Sequence, residues 1–177
     1  LKEIAGRGVP LSAVFRDFQR LCLEEGADWV PYLAGGAGPS GYGDVISPAT
    51  SRALEHGDVL MLDTGAVLGG YFTDFNRNFA VGAVSGQVTT AHGRLLDAVE
   101  AGARAARPGA RACDVFVAMD RVLTDGTART GRYGHGLGMQ LTEWPSVHAA
   151  DETELRPGMV LTLEPAIATD PGRLMVH

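Results

Sequence analysis

Two stretches decide the reading of this chain: Gly57-Asp58-Val59-Leu60-Met61-Leu62-Asp63-Thr64-Gly65 and Gly70-Tyr71-Phe72-Thr73-Asp74-Phe75-Asn76-Arg77-Asn78-Phe79. In each, an aspartate interrupts an apolar run of strand character. The runs predict strands over Val59 to Ala66 and Tyr71 to Val81. If these form a hairpin turning at Leu68-Gly69, Asp63 and Asp74 fall directly opposite each other on one face, with Cβ atoms roughly 4.5–5.5 Å apart. Two like charges so placed repel, which calls for a cation or a shared proton. A divalent metal resolves the conflict, and carboxylates suit a hard cation. The alternative is that both aspartates cap turns or pair with Arg77, and hairpin geometry alone leaves the two readings level.

Two later stretches add to the first pair. In Gly131-Arg132-Tyr133-Gly134-His135-Gly136-Leu137-Gly138, flanking glycines leave the histidine unobstructed and let the backbone bend around a ligand. In Met159-Val160-Leu161-Thr162-Leu163-Glu164-Pro165, a carboxylate ends a strand that reads as buried. A buried carboxylate is costly without a partner, and a metal or an arginine would satisfy it.

Around these stretches the chain alternates helix and strand signals. Leu11, Val14, Phe15, Phe18, Leu21 and Cys22 mark one face of a helix over Leu11 to Glu25, with Ser12 as cap and Gly26 as stop. Trp29 to Leu33 reads as a short strand and the glycine-rich Ala34 to Gly43 as a loop that can approach something closely. Helices follow over Gly86 to Ala106, ended by Pro108-Gly109, and over Ala112 to Leu123. Leu174 to Val176 is a last short strand. Strands, then helices, then strands indicate an α+β domain with helices backing a curved antiparallel sheet.

The 177 residues suffice for one domain with a full core. A formal charge of −6 argues against nucleic acid and anionic membranes as partners, and no apolar run is long enough to span a bilayer. Cys22 and Cys113 sit apart in helical patterns, as buried thiols of a reducing compartment do, so the expected location is cytoplasmic.

In order and local sequence, Asp63, Asp74, His135 and Glu164 resemble the metal ligands of the pita-bread fold family, which includes methionine aminopeptidase, aminopeptidase P, prolidase and creatinase. The matching stretches are Gly57–Gly65, Tyr71–Gly82, Gly134–Gly138 and Pro157–Pro165. The resemblance implies a pita-bread fold, two divalent metal ions (manganese, cobalt, iron or zinc) and hydrolysis of a C–N bond, with Xaa-Pro peptides as the leading substrates. It implies that Asp63 holds one metal, that Asp74 bridges both and that His135 holds the other. Glu164 is then both ligand and general base, and His135 and Glu164 are the catalytic residues. A homodimer is carried over from relatives.

Peptidases of the family have two further histidines that handle substrate. Here Gly41 to Pro48 has none, and Thr142 stands in the triplet Leu141-Thr142-Glu143 where the second is expected. His56 and His148 are out of register with both. The stretch with Gln140, Thr142 and Trp144 is similar to ectoine hydrolases, in which case Tyr42, Asp44, Thr142 and Trp144, with Tyr133, line a pocket for a small cyclic substrate. Loop packing explains these residues equally well. A small-metabolite hydrolase of the ectoine or creatine kind, preferring compact substrates to long peptides, is therefore the second function, and a catalytically dead binding domain the third.

The expected organisation is one catalytic domain over 1–177 without the N-terminal domain of creatinase-type members. By the same resemblance, a metal-bridging glutamate follows Leu174-Met175-Val176-His177, so the sequence is expected to be truncated at both ends.

Overall fold

Val59, Leu60, Met61 and Leu62 are all buried, so this strand must be covered on both faces. A computed structural model, which describes residues 3–123 and 131–177, shows what covers it. Leu60 and Leu62 pack with Leu11, Val14 and Phe15 of helix α1 (Leu11–Glu24). Val59 and Met61 pack on the other side with Val88, Ala91 and Leu95 of helix α2 (Gly86–Ala105).

The central sheet is β1 (Leu33–Gly38), β2 (Val59–Thr64) and β5 (Phe75–Ala80), in the order β1-β2-β5. Between β2 and β5 the chain makes a small ribbon of β3 (Val67–Leu68) and β4 (Tyr71–Phe72). Helices α2 and α3 (Ala112–Leu123) follow and pack on each other. Ala98 of α2 and Val115, Met119 and Leu123 of α3 build a third apolar cluster with Tyr133, Val147 and Leu155. The chain closes with two ribbons, β6 (His135–Gly136) with β7 (Glu143–Ser146), and β8 (Ala166–Asp170) with β9 (Arg173–Val176). Every strand pair described is antiparallel, and the arrangement is α+β as expected.

Several local expectations are corrected. The glycine-rich stretch is no loop: Leu33–Gly38 is β1, in register with β2 from Leu33↔Thr64 to Gly38↔Val59. A Cβ on Gly35 would collide with the Met61 carbonyl, so the close approach that glycine permits is to the neighbouring strand. Trp29 makes only an isolated bridge, to Val67. The N-cap of α1 is Pro10, whose carbonyl accepts from Ala13 and Val14, while Ser12 lies inside the helix.

The hairpin turns at Gly69–Gly70, whose φ angles of 60° and 84° suit a tight two-residue turn. That is one residue later than expected, so the partner of Asp63 is Asn76 and not Asp74. The second strand is also broken. Thr73 N donates to Ala66 O at 2.8 Å, and Ala66 N donates to Thr73 Oγ1 at 2.8 Å. Asp74 sits in that break, between β4 and β5.

Met159 and Val160 are exposed rather than buried. Their segment runs beside β6, with Leu137 N on Val160 O at 3.0 Å and Thr162 N on His135 O at 2.8 Å. No helix among the described residues is long and apolar enough to cross a membrane.

Candidate metal centre

Three backbone devices aim three side chains at one point. The break in the hairpin releases Asp74 from the ladder. The first residue of β6 presents His135. The segment beside β6 ends at Glu164, whose N–H donates to Tyr133 O at 2.9 Å. The glycines around His135 do not clear a path to it. A Cβ on Gly134 would strike Thr162 O, and one on Gly136 would lie 2.5 Å from Trp144 O, so both let neighbouring backbones close in. The His135 side chain is consequently only 3% exposed.

His135 Nε2 lies 3.3 Å from Asp74 Oδ2 and 3.4 Å from Glu164 Oε1. One ligand atom from each of Asp74, His135 and Glu164 falls within 4.8 Å of the others. His135 Nδ1 is 2.8 Å from Gly136 O. A carbonyl can only accept, so Nδ1 carries the proton and Nε2 faces the two carboxylates. Asp63 lies outside this triangle but feels it.

The charge balance is unfavourable without a cation. Burial raises the Asp63 carboxyl to about 7, helped by the negative charges of Asp74 and Glu164 and opposed by His135. Burial also raises Glu164. Burial alone would lower His135, but its hydrogen bonds to Asp74 and Gly136 O and the charge of Glu164 outweigh that and raise it. Buried acids that resist ionising together are the donor set a divalent ion would complete, so the residues present fit such an ion.

Two neighbours escaped sequence reading. Tyr32, just before β1, donates its hydroxyl to Asp74 Oδ1. Burial and that bond raise its pKa far above the ordinary phenol range. Arg132 Nε lies 4.0 Å from Glu164 Oε1. Neither has a local signature: the hydrogen bond of Tyr32 joins residues 42 apart.

The residues expected to line one substrate pocket are not all brought together. Tyr42 is buried, and its hydroxyl accepts from Val176 N at 2.6 Å and donates to Asn78 Oδ1 at 3.1 Å. Asp44 is exposed and accepts from Ile46 N at 2.8 Å and Ser47 Oγ at 2.7 Å, which makes it a turn residue. Tyr42 and Asp44 border a cavity of about 270 Å³ with Gly35, Gly36 and Arg52. Trp144 is 73% exposed, bonds Thr153 Oγ1 and borders a different cavity with His148 and Asp151. Neither cavity is lined by Asp74, His135 or Glu164. Thr142 is exposed, and Tyr133 is buried, stacked on Phe116 and bonded to Asp120. Arg77 does not pair with an acid among the described residues. It donates to Asn76 O at 2.6 Å and lies over the Phe75 ring.

The fold is of the pita-bread type, and it carries this cluster of three potential metal ligands. Residues 10–177 match metallopeptidase family M24, and the chain belongs to that family. A probable dipeptidase PepE of Mycobacterium tuberculosis is 34% identical over 164 residues, which are 90% of this chain and 43% of that protein. An Xaa-Pro dipeptidase of Pyrococcus horikoshii is 32% identical over 133 residues, which are 72% of this chain and 38% of the relative. Among solved structures, dipeptidase PepE from Mycobacterium ulcerans superposes with a TM-score of 0.90 at 31% identity, covering 99% of this chain and 48% of that one. The prolidase from Pyrococcus furiosus gives 0.89 at 26% identity, covering 98% and 52%. The chain therefore spans about half the length of these relatives or less. Family membership carries divalent-metal binding with it.

Proposed function

We propose that this chain is the catalytic domain of a metal-dependent peptidase that cleaves short peptides, with Xaa-Pro dipeptides as its substrate class. The observation that carries the reading is the convergence of Asp74, His135 and Glu164 within 4.8 Å in a chain of family M24. Asp63, Asp74, His135 and Glu164 would hold two divalent ions. Bound there, divalent ions supply Lewis acidity that lowers the pKa of water and polarises a carbonyl.

The residues of the chain do the rest. The Nδ1 bond to Gly136 O fixes the His135 ring with Nε2 toward the carboxylates. The Tyr32 hydroxyl holds Asp74 Oδ1 and so orients Oδ2 toward His135. Glu164, raised by burial, would take a proton from the attacking water and pass it to the leaving amine. Arg132 keeps positive charge beside Glu164.

Relatives named dipeptidases favour a peptide bond over a small cyclic amidine or guanidino compound as substrate. The absence of histidine from Gly41–Pro48 and the exposed Thr142 fit compact substrates rather than long peptides. The test is a substrate panel with manganese, cobalt or zinc added. Metal-dependent release of proline from Xaa-Pro dipeptides is the expected result. Turnover of ectoine or creatine with no dipeptide cleavage would overturn it.

A further inference from the structure

His92 and His177 meet on the side of the molecule where β9 faces α2. Met175 and His177 project from the same side of the chain, two residues apart, and Met175 belongs to the cluster formed with Val88, Ala91 and Leu95 of α2. His92 lies one residue beyond Ala91. The two imidazole rings stand perpendicular, at 89°, with centroids 5.2 Å apart.

Buried side-chain nitrogens and oxygens without a hydrogen-bond partner are rare in folded proteins. Among the described residues they are Asn76 Oδ1, His92 Nε2 and His177 Nδ1. Two of them thus belong to this single pair of rings. An unprotonated imidazole nitrogen without a hydrogen-bond partner has a lone pair to offer a ligand.

We propose that His92 Nε2 and His177 Nδ1 together bind a divalent transition metal of the borderline class, zinc, nickel or copper, at a site separate from the acidic centre. The ring spacing suits it. An ion in tetrahedral coordination, about 2.1 Å from each nitrogen, places two imidazole centroids roughly 5 Å apart. On the His92 side there is space for further ligands, since that ring, though not His177, borders a cavity of about 230 Å³ with Asn78, Thr89 and Met175. Imidazole donors favour these metals over the harder ions that suit carboxylates. The pair is nevertheless close to the acidic centre in the chain path: His177 N donates to Pro165 O at 3.2 Å, one residue beyond Glu164. The proposal does not depend on the hydrolase reading.

The test is zinc stoichiometry of the 177-residue chain, saturated and freed of loose metal, against His92→Gln and His177→Gln. Each variant should hold one equivalent less than the parent, and the double variant no less than either single one, because both rings serve one ion. Equal stoichiometry in all four would show the nitrogens bridged by water only. The parent provides a check that needs no variant. One equivalent of copper(II) added to the metal-free parent should give an electron paramagnetic resonance spectrum with coupling to two nitrogens, which the acidic centre, with His135 as its one imidazole, does not offer. Coupling to a single nitrogen, or a spectrum showing only aqueous copper, overturns the proposal.

Discussion

Tyr32 and Asp74 are joined by a hydrogen bond from the phenol to Oδ1, while the other oxygen of Asp74 faces His135 at 3.3 Å. One aspartate is thus held from behind by a neutral donor and presents its free oxygen to the cluster. Partners that orient ligands in this way typically contribute about 10–100-fold in metal affinity. We expect Tyr32→Phe to weaken divalent-metal binding by about that factor, with the fold retained. Isothermal titration with manganese measures it. An unchanged dissociation constant would show that Asp74 needs no support.

His135 is buried rather than free on an open loop, so its removal affects both stability and chemistry. His135→Ala should weaken metal binding beyond the about 10–100-fold expected for an orienting partner, and abolish hydrolysis. It should also destabilise the metal-free chain by about 1–3 kcal/mol, since it leaves Asp74 and Glu164 facing each other across a void. Urea unfolding of both proteins without metal reads the second effect. Full hydrolytic activity in the variant would remove His135 from the site.

Gly134 and Gly69 separate two reasons for glycine. Both have positive φ, 150° and 60°, but a Cβ on Gly134 would meet Thr162 O whereas one on Gly69 meets nothing within 4 Å. Gly134→Ala should therefore cost about 2–4 kcal/mol and lower metal affinity by moving His135 away from Glu164. Gly69→Ala should cost about 1 kcal/mol through backbone strain alone and leave the metal affinity as it was. Equal losses in thermal denaturation would mean that the close approach of β6 to Thr162 is unimportant.

How much of this was legible in the sequence depended on whether the signal was local. β2 could be read because four consecutive apolar residues end in Asp63, and α3 because its apolar spacing fits one helix face. The α+β class followed from the order of such segments. β1 was hidden because Gly35, Gly36 and Gly38 look like a loop, when Gly35 is there to let β2 come close. The hairpin itself was legible, but its register hung on one residue. Turning at Gly69–Gly70 rather than Leu68–Gly69 moves the partner of Asp63 by two positions, to Asn76. Asp74, His135 and Glu164 could be singled out because each interrupts or ends a distinctive short stretch. Tyr32 could not, because only the fold brings it to Asp74. Tyr42, an aromatic among glycines, looked like a pocket residue and is a core residue bonded to β9.

The acid cluster makes the metal-free protein sensitive to pH in a definite direction. Asp63 rises from an ordinary 3.8 to about 7 on folding, because burial and the charges of Asp74 and Glu164 disfavour its ionised form. The folded state therefore binds more protons than the unfolded state between these values, and stability falls as pH rises through that window. Glu164, also raised, acts in the same direction. We expect the melting temperature of the metal-free chain to decline from about pH 5 to pH 8, and saturating divalent metal to remove the decline. A melting temperature that rises over this range without metal would contradict the charge balance described for the site.

Asp63→Asn provides the sharpest check, because its two effects have opposite signs. The amide is nearly the same size but cannot ionise, so the repulsion from Asp74 and Glu164 that raises Asp63 disappears. Without metal, the variant should melt higher than the parent at pH 8 and match it more closely near pH 5, where the parent carboxyl is protonated. With metal, the order should reverse. An amide oxygen carries no net charge to offset a cation, so the variant should bind divalent ions more weakly and gain less from saturation. Melting curves at both pH values, with and without manganese, give all four comparisons. If the variant is less stable than the parent without metal at pH 8, Asp63 is held by contacts that outweigh the charge of its neighbours. If it gains as much as the parent from manganese, Asp63 does not bind the ion.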